Sequence, residues 1–310
     1  MKRALLAFAA ATLCVTPMAA QTAPPIVGRW DLTVDMNGSP RGSWLEVHRS
    51  GGRTLVGQFV GLGGSARPIS RVDFQNGELR FSIPPQWESG RGELSVVARL
   101  EGDSLEGTMT FPDGQSSAWT GRRAPSLRRS APPRWGEPIP LIARDGLAGW
   151  RVVGGANRWE VSGGELRNRE SGGNLVTERT FTDFKLHLEY RLPPGGNSGV
   201  YLRGRYEVQV LDPGEPGAEP DYGAVGAIYG FIAPSRIAAR PAGEWNSIDV
   251  TLVGRMVTVT VNGDTVIHDR EIPGITGGAL DSDEGAAGPI LLQGDHTAIE
   301  YRNIVVTPAL

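Results

Sequence analysis

Turn signals recur along this chain too often for long helices to form. Asn37-Gly38, Gly51-Gly52, Asn76-Gly77, Asp113-Gly114 and Asn262-Gly263 each interrupt short runs rich in Val, Leu, Ile, Phe and Thr. Such pairs accept positive φ and close tight hairpins between antiparallel strands. With 43 Gly and 23 Pro in 310 residues, regular helix is disfavoured, and no segment past the N-terminus has a convincing amphipathic helical period. The chain is therefore expected to be all-β, with room for two ordinary domains.

Residues 25–122 read as a small antiparallel β domain of about eight strands, from one around Val27–Asp35 to one around Gln115–Gly121, spaced as in a barrel or sandwich. The Gly28-Arg29-Trp30 triplet at its start resembles the opening of lipocalin-like barrels. A Trp that plugs one end of the barrel accounts for it as well as a ligand site does. Residues 123–136 carry Arg123, Arg128, Arg129 and Arg134 among Pro125, Pro132 and Pro133, with hardly any apolar period. This composition predicts a solvated, partly extended linker. From 137 to 310 alternation returns: Phe184, Leu186, Leu188 and Tyr190 face one way, and Lys185, His187, Glu189 and Arg191 the other. A dozen or so strands of this kind predict a two-sheet jelly roll, expected to be complete as a folding and catalytic unit.

Residues 1–20 have the layout of a signal peptide: Met1-Lys2-Arg3, an apolar run from Ala4 to about Val15, then small residues before Gln21. They predict an exported protein, periplasmic or secreted. Cys14 is the only cysteine and lies inside that segment, so the mature chain is expected to have no disulfide, thiol nucleophile or thiolate metal site. No later run approaches the ~20 apolar residues of a membrane span. A net charge of -3 with 21% charged residues gives no sign of nucleic acid or an anionic membrane as partner. A neutral small-molecule ligand is expected, with protein partners left open.

Ten segments of the second half stand in the order seen in the 3-keto-disaccharide hydrolase family, which this part of the chain resembles. They run from Asp145-Gly-Leu-Ala-Gly-Trp150 through Asn197-Ser-Gly-Val-Tyr-Leu-Arg203, Tyr206-Glu-Val-Gln-Val-Leu-Asp212, Gly226-Ala-Ile-Tyr229, Gly243-Glu-Trp-Asn246 and Gly288-Pro-Ile-Leu-Leu-Gln293 to Tyr301-Arg-Asn-Ile304. The resemblance implies a concanavalin-like jelly roll and a small glycoside oxidised to a ketone at C3. The chain departs from the pattern at Ile142-Ala-Arg144 and at Gly294-Asp-His296, the latter a shifted Asp-His-Gly.

The residues can be read for chemistry alongside this. A C3 ketone acidifies the C2 hydrogen and places the glycosidic oxygen on C1 β to the carbonyl. Cleavage then needs a base at C2, a donor for the C3 oxyanion and an acid at the leaving oxygen. Glu189, Glu207 and His296 are candidate proton carriers, and Arg203 is a candidate oxyanion donor. Asn197, Gln209, Gln293 and His187 are candidate hydroxyl ligands, with Tyr201, Tyr229 and Trp245 as an aromatic wall. Alternation predicts His187, Glu189, Arg191, Tyr201, Arg203, Glu207 and Gln209 on one polar face of neighbouring strands. Two other readings remain: a conventional glycoside hydrolase using Glu189 and Glu207 as paired carboxylates, and a non-catalytic carbohydrate-binding module. No cofactor is called for. A divalent cation stays open, with the run Asp281-Ser-Asp-Glu284 as a calcium candidate against a solvated loop.

Overall fold

The computed structural model describes residues 23–215 and 217–310. The signal-peptide segment and Cys14 lie outside the described residues. Among those described there is no helix.

The first domain is a closed antiparallel barrel of β1 (Gly28–Met36), β2 (Ser39–Ser50), β3 (Thr54–Val60), β4 (Arg67–Gln75), β5 (Glu78–Ile83), β6 (Leu94–Glu101), β7 (Ser104–Thr110) and β8 (Ser116–Arg123), with β8 returning to pair with β1. The hairpin signals act as expected: Asn37 and Gly38 take φ of 54° and 83°, and Asn76 and Gly77 take 51° and 79°. Two consecutive positive φ values match the twist of the flanking strands. Inward residues fill the barrel, among them Trp30, Leu32, Val34, Leu45, Phe59 and Met109. Trp30 is the plug: its indole is fully buried, donates to the Ile26 carbonyl at 2.9 Å and lies 3.8 Å beneath the Arg123 guanidinium.

The second domain is a jelly roll of two antiparallel sheets. One holds five strands in the order β10 (Trp150–Val153), β13 (Asn174–Phe181), β20 (Gly288–Leu292), β15 (Asn197–Leu202) and β16 (Tyr206–Leu211). The other runs β11 (Trp159–Ser162), β12 (Glu165–Asn168), β21 (Ile299–Pro308), β14 (Phe184–Arg191), β17 (Asn246–Val253), β18 (Met256–Val261) and β19 (Asp264–Glu271), with β9 (Ile139–Pro140) beside β21. Leu186 and Leu188 of β14 share one core with Val200 and Leu202 of β15 and Val208 and Val210 of β16. The alternate residues of these strands must therefore point away from the core on opposite sides of the sandwich.

The two domains are packed hard against each other. Trp44, on the outside of the barrel, belongs to the jelly-roll core and meets Phe231 edge-on at 5.4 Å. A Cβ on Gly277 would lie 2.1 Å from the Gly64 carbonyl oxygen, and one on Gly42 would lie 2.7 Å from the Asp281 backbone. Backbones this close leave no room for side chains. Polar contacts close the seam: Arg29 to Glu271 at 2.7 Å, Thr33 to Ser282 at 3.1 Å and Arg122 to Asp283 at 2.8 Å.

One expectation is sharpened here and another corrected. The segment 123–136 forms no strand past Arg123 and is exposed from Arg128 to Pro132, yet it is fastened to the jelly roll at several points. Leu127 is buried, Arg129 binds both Asp183 carboxylate oxygens at 2.6 and 3.0 Å, and the Pro125 carbonyl accepts from Arg255 at 2.8 Å. The acidic run is neither a solvated loop nor an open calcium cradle, because arginines take its carboxylates. Asp281 pairs with Arg205 at 2.6 Å, Asp283 with Arg122, and the wholly buried Glu284 with Arg255.

Candidate functional site

The outer face of the five-stranded sheet, which would otherwise meet solvent, lies under the barrel. Between them is a cleft of about 500 Å³, within the roughly 300–1,000 Å³ usual for small-molecule sites. Its jelly-roll wall is polar: Asn197 and Tyr201 from β15, Glu207 and Gln209 from β16, Tyr229, and Gln293, Asp295 and His296 after β20.

Glu207 lies deepest. β15 and β16 pair with Tyr201 opposite Glu207 and Gly199 opposite Gln209. A Cβ on Gly199 would come within 2.2 Å of Glu207 Oε1, so this glycine lets the carboxyl lie across the neighbouring strand. Burial pushes the Glu207 carboxyl up to about 8, against the opposing pull of Tyr201 and His296. Tyr201 Oη stands 2.9 Å from both Glu207 Oε2 and the Gly277 carbonyl. A phenol has one proton to give. With Glu207 protonated every group is satisfied: the acid donates to Tyr201, and Tyr201 donates to Gly277.

At the mouth, His296 Nδ1 meets Asp295 Oδ1 at 2.8 Å. The hydrogen bond raises the imidazole pKa and lowers that of Asp295, and the Glu207 charge adds to the first effect. A buried carboxyl with a raised pKa thus lies within electrostatic reach of an imidazole held towards its protonated form. The Gln209 amide is 3.4 Å from Asn197 Oδ1. Gln293 Oε1 is buried with no hydrogen-bond partner among the described residues, and the residue lines the cleft as a candidate acceptor for a ligand hydroxyl. Burial also raises the pKa of Tyr229, keeping it a neutral donor.

Of the residues singled out in the sequence, the cleft brings together Glu207, His296, Asn197, Tyr201, Gln209, Tyr229 and Gln293. It does not include Glu189, Arg203, His187 or Trp245, and the single polar face expected for the strand residues is corrected to two. β14 belongs to the other sheet, so His187 and Glu189 look out from the far side of the sandwich. There His187 binds Asp249 at 2.8 Å, and Glu189 binds Arg302 at 2.7 Å and Asn303 at 2.6 Å. Trp245 is there too, under the Arg302 and Arg191 guanidiniums at 4.0 and 4.8 Å. Arg203 is on the correct strand end, but its φ of 54° turns the chain out of alternation. Its buried guanidinium donates to the Gly254 carbonyl at 2.7 Å, Tyr206 Oη at 3.1 Å and the Glu284 carbonyl at 3.3 Å, so its role is structural.

Two contributions were not foreseen. Asp295, inside the Gly294-Asp-His296 segment, orients His296. The barrel supplies Met36, Ser39, Arg41, Leu62, Gly63, Gly64 and Trp87 to the second wall; the turn-rich stretch around Trp87 has no period to mark it. Among the described residues no group of three or more His, Cys, Asp or Glu stands together as a metal site.

Residues 138–307 match the model of the 3-keto-alpha-glucoside-1,2-lyase-like domain. The chain belongs to that family. The match spans more than half of the sequence and takes in every jelly-roll residue of the cleft. A candidate glycosyl hydrolase from Parabacteroides distasonis, solved as a crystal structure, is 31% identical over 58% of this chain and 93% of its own, with a TM-score of 0.46. Another from the same organism is 24% identical over 55% of this chain and 98% of its own, with a TM-score of 0.44. No curated protein matched the chain. Membership places the domain among carbohydrate-acting hydrolases and lyases.

Proposed function

We propose that the cleft cleaves small 3-keto-glycosides by elimination, with Glu207 as the base. The observation that carries this reading is the buried carboxyl with its pKa near 8 beside the His296–Asp295 pair. Once ionised, Glu207 is a far stronger base than an exposed glutamate. It takes the C2 proton, and the C2–H electrons pass into the C3 enolate. The amide groups of Asn197 and Gln209 and the Tyr229 phenol serve as donors for that oxyanion. The enolate collapses, C1=C2 forms as the C1–O bond breaks, and the His296 imidazolium protonates the departing oxygen. Addition of water across C1=C2 turns the lyase product into the hydrolysed sugar.

Turnover of matched glycosides with and without the C3 ketone tests this. Cleavage confined to the ketone is expected. Equal rates would instead favour paired-carboxylate hydrolysis, which would have to use Asp295 because Glu189 stands on the far face. Tight binding with no turnover of either would make the domain a carbohydrate-binding module. The chain is also proposed to be exported on residues 1–20. Fractionation of cells expressing it with and without that segment checks this, and an intracellular full-length product would refute it.

A further inference from the structure

The two walls of the cleft differ in chemistry. The jelly-roll wall holds the proton carriers Glu207 and His296, whereas the barrel wall holds Met36, Leu62, Gly63, Gly64 and Trp87, with Ser39 and Arg41 at its edge. Trp87 is the conspicuous member: a large apolar side chain 49% exposed, with no other aromatic ring or guanidinium stacked on it among the described residues.

Its position is fixed on several sides. The indole lies over Gly63 and Gly64, where a Cβ on Gly64 would come within 2.7 Å of the ring, and Nε1 donates to the Gly63 carbonyl at 2.7 Å. The next residue, Glu88, is buried and takes Arg67 at 2.8 and 3.2 Å while accepting from the Trp87 backbone at 3.3 Å. The strip beneath the indole is itself fastened to the jelly roll. Gly278 donates to the Leu62 carbonyl at 3.1 Å, and Gly277, in van der Waals contact with Gly64, is the residue whose carbonyl Tyr201 approaches. A continuous set of contacts therefore runs from Glu207 through Tyr201, Gly277 and Gly64 to Trp87.

A rigid, half-exposed indole facing a polar catalytic wall has the form of a platform for a ring. Its flat face suits the C–H face of a sugar. Arg41, which has no ion-pair partner among the described residues, and Ser39 suit the hydroxyls at that ring's edge. Resting on the function proposed above, we propose that the barrel wall is the leaving-group subsite, where Trp87 stacks the second sugar ring of a 3-keto-disaccharide. The barrel then selects what is attached to C1, and the jelly roll selects the keto sugar.

The test uses the full chain and two ligands, 3-keto-maltose and methyl 3-keto-α-glucoside, which share the reacting ring and differ in the second. With Glu207→Gln in place to stop cleavage, calorimetric binding should weaken about tenfold on adding Trp87→Ala for the first and stay within about twofold for the second, with Trp87→Phe recovering most of the loss. An equal effect on both ligands, or none on 3-keto-maltose, overturns the subsite. Turnover by the unaltered protein separates this from the reaction itself. If the binding contrast holds but neither ligand is cleaved, the elimination fails and the subsite stands. If both are cleaved but the contrast is absent, the subsite fails and the elimination stands.

Discussion

The barrel and the jelly roll follow the same strand logic, and each buries a carboxyl on an outer face that meets the other domain, but only the jelly roll's carboxyl lines the cleft. The barrel interior is filled with apolar side chains, and Asp31, a charged residue it buries, lies on its outside against the jelly roll. There burial and the nearby Glu284 push its carboxyl up to about 8. The jelly roll likewise buries Glu207 and Gln209 on its outer sheet face, and there they line the cleft. Desolvation is the first cause of the raised Glu207 pKa, and the groups packed on it, Tyr201, Gly199 and Thr276, are of the jelly roll, with the neighbouring Gly277–Gly278 strip fastened to Gly64 and Leu62 of the barrel. The difference teaches that the reacting groups belong to one domain while the other supplies the facing wall and braces the strip beside them.

The sharpest way to break this comparison is to treat Glu207 and Glu189 alike, as alternation along their strands does. Glu207→Gln should lower kcat by about 10²–10⁴-fold, the usual worth of a positioned base. Glu189→Gln, on the far face, should leave kcat within about twofold, as surface changes away from a site do. Comparable losses would mean that the wrong face has been chosen. Next in size is Gly199→Ala, whose Cβ would meet the carboxyl at 2.2 Å. It should cut kcat at least tenfold with a small change in Tm, because it displaces the proton carrier and little else; unaltered kcat would remove the glycine cradle from the account.

Arg203 separates site from scaffold. Its replacement by Ala leaves three buried acceptors without a charged donor and should destabilise the fold by about 3 kcal/mol, measured by denaturant unfolding. The active-site titration of the protein that remains folded should be unaltered. A stable Arg203→Ala protein with a collapsed kcat would return this residue to the reaction. The last effect is on pH. Glu207 is held at about 8, against 4.5 for an ordinary glutamate. Its folded form therefore prefers the proton, and the stability this contributes is complete below about 4.5 and is lost as pH rises through about 8. The rate should rise as Glu207 ionises and fall again as the His296 imidazolium loses its proton, giving a bell-shaped profile. In Glu207→Gln the stability dependence and the rising limb should both flatten.

The sequence made the strands of the first domain plain, though not their closure into a barrel, because most of its hairpins carry a local signal; Asn37-Gly38 and Asn76-Gly77 state their turn type outright. It also put Glu207, Gln209 and Tyr201 on one face, since alternation along a strand and pairing across a hairpin are local. Which sheet a strand joins is not local. β14 and β15 are consecutive in sequence yet part company, and this carried His187 and Glu189 away from the cleft. Arg203 escaped alternation through a single left-handed residue. Trp87 became part of the site only through the docking of one domain on the other, which no period within either strand set encodes.

The central claim is that a buried glutamate removes the C2 proton of a 3-keto-glycoside. Exchange of that hydrogen with solvent deuterium, followed by proton NMR on the full chain, tests it most directly. The unaltered protein should wash out the C2 signal during cleavage, and Glu207→Gln should bind the glycoside by calorimetry while leaving the signal in place. Exchange that persists in Glu207→Gln, or cleavage by the unaltered protein with the C2 hydrogen retained, would contradict the account.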